Sequence, residues 1–141
     1  MNKYIPKTFR HRPYLFHGTE KKNLPNIKKH GLIPGYSKSK IPGGSNDDYG
    51  KYIWFDICPM TLYGWLCRYY ALDVDWTILA VPTKLLDISA TFKERRNGHF
   101  YIYTKPIPPK NLYKIGMWKL EVEPLVAPQD KAQKGLRCSY R

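Results

Sequence analysis

The stretch Tyr14–Gly35, YLFHGTEKKNLPNIKKHGLIPG, joins a short apolar run, three small or polar residues and a helical pattern. Its first three residues, Tyr-Leu-Phe, are apolar and aromatic, as is typical of a β-strand. His17, Gly18 and Thr19 then end the run with a polar ring, a residue without Cβ and a hydroxyl. We expect Gly18 to let a ligand approach the backbone closely, so that the N–H and C=O bind an amide.

A short helix is predicted directly after this strand, over Asn23–His30. Asn23 is suited to cap the helix, and Pro25 is tolerated in the first turn. Gly31 follows the last helical residue and is expected to end the helix. The stretch therefore predicts a strand, a polar segment and a capped helix in that order.

The length of 141 residues allows one hydrophobic core but not two. We therefore predict a single domain over residues 1–141, with a basic N-terminal arm at 1–13 and a basic, polar tail at 126–141. Aromatic residues make up 15% of the chain, and we expect most of them in the core. Some are alternatively ring faces for stacking on a nucleobase or nicotinamide.

The chain is strongly basic, with 24 Lys and Arg against 11 Asp and Glu and a net charge of +13. A small protein of this charge attracts polyanions, and nucleic acid, as DNA or RNA, is the first partner to expect. A protein acceptor is a weaker expectation, and simple solubility is the alternative explanation of the charge.

Cys58, Cys67 and Cys138 are odd in number and lack CxxC spacing, so we expect neither a disulfide framework nor a metal site. The sequence has no signal-like apolar segment at its start and no apolar run of membrane length. We therefore predict a cytoplasmic protein without a membrane partner.

The remaining pattern predicts mostly β-structure. One further helix is expected over about 60–72, where Gly64 weakens the helix and suggests that a large group packs against the gap. A loop rich in Gly, Ser, Pro and Asp occupies 35–50, and 84–88 reads as an edge segment. Strands are predicted over 49–55, 76–82, 100–104, 112–118 and 120–125. Together these elements predict an α+β domain.

The order strand, His-Gly-Thr, capped helix and Gly-Leu-x-Pro-Gly resembles the first motif of the ADP-ribosyltransferase superfamily, in its poly(ADP-ribose) polymerase and DarT-like branch. The resemblance implies a small fold with mixed β-sheets that form an NAD cleft, and two or three short helices. It also implies that His17 holds the ribose of NAD and that Gly18 grips the nicotinamide carboxamide, with Thr19 beside them. The alternative is that His17 is an ordinary polar residue at a strand end.

The stretch Tyr49–Phe55, YGKYIWF, resembles the second motif of that branch. Trp54 falls where the family has its motif tyrosine, and Trp65 falls where a second ring sandwiches nicotinamide. Tyr63 is a neighbouring candidate for that second ring. Aromatic faces attract a flat, positively charged ring such as nicotinamide. The alternative is that both tryptophans belong to the core.

The third motif of the family places a glutamate at the start of a strand, and here that position falls on His99 or Phe100. Glu94 is the nearest carboxylate in the sequence. A neutral His99 is able to act as a base near pH 7. It lacks the fixed negative charge that stabilises a developing cation, so chain elongation and NAD hydrolysis are not expected.

Three functions follow from the resemblance. The first is mono-ADP-ribosyl transfer, a glycosyltransferase reaction with NAD as substrate and no metal, onto nucleic acid as in the DarT toxins, in a toxin, phage or defence setting. The second is a non-catalytic descendant that binds nucleic acid or a partner. The third is an RNA 2′-phosphotransferase, although that family's Arg-x-His-Val-His stretch has no counterpart here. Candidate residues for nucleic-acid binding are Arg10, Arg12, Arg95 and Arg96.

Overall fold

A computed structural model describes residues 12–35, 52–69, 74–93, 100–116 and 121–126 of the chain. Nearly all of the loop predicted at 35–50, and nearly all of the predicted arm and tail, lie outside these residues. Within them, the fold consists of one β-sheet of seven strands and two α-helices. The α+β class predicted from the sequence is confirmed.

The strands are β1 (Tyr14–Glu20), β2 (Ile53–Asp56), β3 (Trp76–Pro82), β4 (Thr91–Lys93), β5 (Phe100–Tyr103), β6 (Tyr113–Gly116) and β7 (Glu121–Pro124). They lie in the order β4-β5-β2-β1-β3-β6-β7, and every described pair is antiparallel. The expectation of mixed sheets was therefore wrong for the described strands. The reason is that β1 inserts between β2 and β3 and runs opposite to both.

The two helices are α1 (Leu24–His30) and α2 (Pro59–Tyr69). A 3-10 turn over Lys21–Asn23 joins β1 to α1. Gly31 ends α1 as predicted, with a φ of 77° and an N–H that donates to the Ile27 carbonyl over 2.7 Å. The side chain of Asn23 makes no capping bond, so that part of the helix prediction was wrong.

Helix α2 is a crossover. It connects β2 to β3, and these two strands run parallel to each other because both are antiparallel to β1, which lies between them. A connection of this kind must cross one face of the sheet. The helix therefore packs across β1, and its buried Leu62 and Leu66 face the sheet.

The sheet has an apolar cluster on each face. Helix α1 and the long connections cover the larger one, whose buried members include Leu15, Leu24, Ile27, Phe55, Leu79, Val81, Tyr101 and Ile107. Helix α2 covers the smaller one, which contains Tyr14, Phe16, Leu62, Leu66, Ile78, Ala80, Tyr113 and Ile115. The alternation of side chains along β1 thus puts Leu15 and His17 on one face and Phe16 and Gly18 on the other.

The strand over 76–82 was predicted with the bounds that the structure has. The segment 84–88 is not an edge strand, because 3-10 turns form over Thr83–Leu85 and Ile88–Ala90. The short strand β4 was missed, because three residues carry too little alternation to be recognised. No helix among the described residues has the length and apolar character needed to cross a membrane.

A candidate ligand site where two strands separate

Strand β1 runs from Tyr14 to Glu20, so the prediction that it ends at His17-Gly18-Thr19 was wrong. All seven of its residues pair with β3, and Gly18 lies opposite Ile78. The apolar pattern stops at Phe16, but pairing with β3 continues because a backbone ladder needs no apolar side chain. The three motif residues therefore lie within a strand.

The backbone of β1 alternates between its two neighbours. Just outside β1, the N–H of Thr83 donates to the Pro13 carbonyl over 3.0 Å, and the N–H of Lys21 donates to the Asp75 carbonyl over 2.8 Å. Because alternate residues of an antiparallel strand bond to opposite sides, odd-numbered residues face β3. The N–H and C=O of Gly18 are consequently directed toward the β2 side.

The ladder between β1 and β2 contains one pair in the described part of the chain, Phe16 with Asp56. In a continued ladder, Gly18 would pair with Trp54. That pair is absent from the ladder, so the regular pairing of β1 with β2 ends at Phe16. We call this interruption of the ladder, bordered by the backbones of Gly18 and Trp54, the β1–β2 opening.

The side chain of His17 occupies the backbone acceptor that Gly18 would otherwise use. The Nδ1 atom of His17 lies 2.8 Å from the carbonyl oxygen of Trp54. A carbonyl only accepts, so Nδ1 carries the proton and donates, and Nε2 of the neutral ring is left as an acceptor. This bond satisfies the Trp54 carbonyl and leaves the Gly18 backbone directed into the opening.

Burial lowers the pKa of His17 below its ordinary value, although the hydrogen bond to the Trp54 carbonyl acts in the opposite direction. The ring of Phe55 packs edge-on against it at 6.1 Å between ring centroids. The imidazole is therefore neutral at pH 7, with a fixed tautomer. It is suited to accept a hydrogen bond from a hydroxyl at Nε2.

Gly18 has a second structural role on the face of α2. A Cβ at this position would overlap the Leu66 side chain, so the glycine allows the crossover helix to pack closely on β1. We predicted that this glycine allows a close approach to the backbone. On the α2 face the group that approaches is a helix side chain, whereas the N–H and C=O lie in the plane of the sheet.

Thr19 is buried and has a local partner. Its hydroxyl oxygen accepts a hydrogen bond from the side-chain amide of Asn23 over 3.3 Å. This contact links the end of β1 to the start of α1 and keeps Thr19 on the same sheet face as His17.

Trp54 and Trp65 are brought together through a third ring. Phe100, the first residue of β5, lies 6.1 Å from Trp54 and 5.9 Å from Trp65 between ring centroids, with edge-on geometry in both pairs. Both tryptophans are partly exposed, so neither is simply a core residue. The cluster of Trp54, Phe100 and Trp65 lies on the α2 face of the sheet, whereas His17 lies on the α1 face with Phe55, and the cluster meets the β1–β2 opening through the Trp54 backbone.

Tyr63 is not part of that cluster. It projects from α2 toward β3 and β6, where it lies with Trp76, Ile78 and Ile115. Residues 63 and 65 are about 200° apart around a helix, so their side chains leave α2 on different sides. Of the two predicted second rings, Trp65 is therefore the one near Trp54.

Of the other predicted site residues, only Arg12 is among those that the structure describes. His99, Glu94, Arg10, Arg95 and Arg96 fall outside the described residues. Arg12 is exposed before β1, and its carbonyl accepts a hydrogen bond from the Thr83 hydroxyl. At about 3.3 Å per residue, Arg12 is roughly 20 Å along the strand from Gly18, so these two residues do not share a site.

Two residues near the opening were not predicted as site residues. Asp56 is fully buried at the last β1–β2 pair, and one of its carboxylate oxygens accepts the Cys58 N–H over 3.1 Å. That bond turns the chain from β2 into α2, and an Asp two residues before the turn is the sequence signal for it. Phe100 was considered only as a replacement for glutamate, whereas its ring joins the two tryptophans.

Among the described residues, no three His, Cys, Asp or Glu side chains are grouped as a metal site would require. Neither a comparison with models of known protein families nor a comparison with curated protein sequences gives a match for this chain.

Proposed function

We propose that this protein is an NAD-dependent mono-ADP-ribosyltransferase that modifies nucleic acid. The observation that carries the proposal is the β1–β2 opening, into which the N–H and C=O of Gly18 are directed. A nicotinamide carboxamide offers one carbonyl acceptor and N–H donors on the same group. One backbone N–H and C=O of a single residue are complementary to it.

His17 supports the proposal through its tautomer. Its Nδ1 is bound to the Trp54 carbonyl, so Nε2 is available to accept a hydrogen bond from a ribose hydroxyl. Because burial keeps the ring neutral, this acceptor persists at physiological pH. In this reading, His17 both holds the ribose and leaves the Gly18 backbone to the carboxamide.

The aromatic cluster of Trp54, Phe100 and Trp65 supplies ring surface beside the opening. The nicotinamide ring of NAD carries a positive charge, and the electron-rich faces of indole rings attract such a cation. Stacking on Trp54 or Trp65 would therefore favour the bound substrate, and it would help to exclude water from the glycosidic bond.

The reaction breaks the bond between ribose C1′ and the nicotinamide nitrogen and forms a bond between C1′ and an acceptor atom. Nicotinamide leaves with the bonding electron pair, and the acceptor loses a proton. A base is needed for that proton, and His99 and Glu94 remain the candidates from the sequence. Phe100 provides no carboxylate at the start of β5, which favours a single transfer to a well-positioned nucleophile.

Incubation of the purified protein with NAD labelled in the ADP-ribose part, divided among DNA, RNA and cell lysate, tests the proposal. We expect label on the nucleic acid, and we expect His17→Ala to abolish it while the circular dichroism spectrum is unchanged. The matched control is His30→Ala, which removes an exposed histidine from α1. Unchanged transfer by His17→Ala, or equal loss in His30→Ala, contradicts the assignment.

The position of Phe100 also favours a second candidate function, a non-catalytic module that binds NAD or nucleic acid. An apolar ring occupies one of the two positions where the family's third motif has its acidic residue, and it packs against both tryptophans. This candidate predicts quenching of tryptophan fluorescence by NAD without transfer of label to any fraction.

A further inference from the structure

Helix α2 carries few charges for a helix that packs on the outside of a sheet. Arg68 is the only charged residue among its 11, although charged residues make up 25% of the chain. At about 100° per residue, Met60 and Gly64 lie on the side opposite the two leucines that are buried against the sheet. A surface helix normally presents charged or polar side chains on its outward face. The outward face of α2 is therefore suited to contact another apolar surface.

Met60 is the most exposed large hydrophobic side chain among the described residues. It is 56% exposed, whereas Ile33, Leu85 and Ile88 are between 42% and 46% exposed. It belongs to the first turn of α2, where no charged side chain stands beside it on the helix. An apolar side chain in this position is available to insert into a partner.

A groove with aromatic walls lies next to Met60, between α2 and the strands β3 and β6. Tyr63 and Trp76 form its walls, and Ile78 and Ile115 lie at its base. We call it the α2–β3 groove. Its volume is about 240 Å³, below the roughly 300–1,000 Å³ of sites for drug-sized ligands, so it is sized for one or two side chains. The patch thus combines an exposed apolar side chain with a groove that is able to receive one.

The charges at the rim of the groove cancel. Lys21 and Asp75 form an exposed ion pair at 3.7 Å. Glu20, at the end of β1, pairs with Lys22 at 2.9 Å. The side chain of Lys114 lies on the other face of the sheet, because it alternates along β6 with the residues of the smaller apolar cluster. Two lysines and two carboxylates sum to zero, so the net charge of +13 is carried by the rest of the chain.

A neutral patch on a strongly basic protein favours a second copy of the chain as its occupant. Two copies that each carry +13 repel one another, so they associate where the local charge is balanced. A two-fold interface also needs a patch that is complementary to itself. This patch is self-complementary, because it presents an apolar side chain beside a groove and a lysine beside an aspartate. A nucleic acid would instead need an excess of lysine or arginine at the rim.

We propose that the protein forms a two-fold symmetric dimer through α2 and the α2–β3 groove. Met60 of each copy inserts into the groove of the other copy, against the rings of Tyr63 and Trp76, and contacts of this kind between sulfur and aromatic rings are favourable. Exposed ion pairs hold each other weakly, so Lys21 is free to bind Asp75 of the partner subunit across the two-fold axis. Methionine, tyrosine and tryptophan are enriched at interfaces between proteins. The inference goes beyond the proposed function and does not depend on NAD.

Sedimentation velocity of the full chain over a series of micromolar concentrations tests the dimer. The protein is first treated with nuclease, so that bound nucleic acid cannot link two copies. We expect a monomer–dimer equilibrium, and we expect Met60→Lys to raise the dissociation constant about tenfold or more, because it buries an unpaired charge in the groove. Ile88→Lys is the matched control, since it adds the same charge at an exposed apolar side chain in the turn between β3 and β4.

Three results of this experiment overturn the proposal. The first is a monomer at every concentration, as expected if another part of the chain fills the groove. The second is a dimer that Met60→Lys leaves unchanged, and the third is equal weakening by Met60→Lys and Ile88→Lys. Because Met60 is exposed in the single copy, its replacement is not expected to disturb the fold, and the circular dichroism spectrum checks this.

A pair of charge reversals tests the two-fold arrangement. Lys21→Glu alone places two carboxylates across the interface and Asp75→Lys alone places two ammonium groups there, so each variant should dimerise more weakly than the wild type. A mixture of the two variants forms a mixed dimer with opposite charges at both contacts, and we expect its association to recover. Mixing does not repair a reversed ion pair within one copy, so recovery identifies a contact between copies. A mixture that associates no better than the separate variants overturns the proposal.

Discussion

His17 decides the geometry of the candidate site because its side chain replaces a backbone contact. The Trp54 carbonyl would accept the Gly18 N–H in a regular ladder, but it accepts Nδ1 of His17 instead. A single side chain thus provides a donor for the Trp54 carbonyl of β2, and in the proposed function the Gly18 backbone binds the ligand. A histidine at another position of β1 would not bond to the Trp54 carbonyl and would not interrupt the ladder at Gly18.

The lowered pKa of His17 predicts a pH dependence of stability. The unfolded chain takes up a proton near pH 6.5, whereas the folded chain takes it up only at lower pH. The contribution of the neutral ring to stability is therefore complete above about pH 6.5 and is lost as the pH falls through the lower folded pKa. We expect urea unfolding to give a lower free energy at about pH 5.5 than at about pH 7.5.

A His17→Gln variant identifies the origin of that change. The glutamine amide is able to donate to the Trp54 carbonyl but does not titrate. The pH-dependent difference in the free energy of unfolding should shrink in this variant and remain in His30→Ala. An equal difference in the wild type and in His17→Gln would show that other groups cause it.

The contact between Gly18 and Leu66 predicts that substitutions in β1 and α2 have non-additive effects on stability. In Gly18→Ala the new methyl group overlaps the Leu66 side chain, which is 5% exposed and has little room to move. We expect Gly18→Ala to lower the free energy of unfolding by about 1–3 kcal/mol. Leu66→Ala alone should cost about 2–5 kcal/mol, but less in the Gly18→Ala background, because the methyl group fills part of the space. Additive costs in the double mutant, measured by urea unfolding, would argue against this contact.

Among the elements, the crossover helix α2 positions both candidate second rings. It packs over β1, places Trp65 near Trp54 and Phe100, and places Tyr63 beside Trp76 and Ile115. The sequence predicted this helix and its buried leucines from their spacing. Helix geometry separates Tyr63 and Trp65 by about 200°, but which strands each ring meets depends on the sheet below the helix, so the sequence did not decide between the two rings.

Gly64 gives a test of the outward face of α2. The sequence suggested that a large group packs against this glycine, but the structure shows open space, with nothing within 4 Å of the position of a Cβ. The suggestion was wrong. Gly64→Ala should therefore stabilise the fold by about 0.5–1 kcal/mol, through the higher helix propensity of alanine. A loss of stability in thermal or urea unfolding would mean that position 64 is packed. Gly116→Ala, in β6, is the comparison variant, because it adds the same methyl group outside a helix.

The strands differ in how far the sequence predicts them. Strand β3 is a continuous apolar run that ends at a proline, so its bounds follow from composition alone. Strand β1 continues through His-Gly-Thr because β3 pairs with it, and this long-range pairing leaves no local signal. The place where the β1–β2 ladder ends likewise depends on both strands and on the His17 side chain, so no single stretch of sequence encodes it.

In the molecule as a whole, β1 is the central strand of the seven-stranded sheet. Its backbone borders the β1–β2 opening on one side, and all seven of its residues pair with β3 on the other. The net charge of +13 provides a general attraction for a polyanion.

A titration with nicotinamide, followed in backbone amide spectra of isotope-labelled protein, tests directly whether the Gly18 N–H binds a carboxamide. If the Gly18 N–H binds the carboxamide in the β1–β2 opening, the Gly18 resonance should shift in a saturable manner, together with the indole resonances of Trp54 or Trp65. The amide of Gly116, on β6, serves as the internal reference and should not move. Saturable binding elsewhere without a shift of Gly18, or no binding at all, would contradict a nicotinamide site at Gly18.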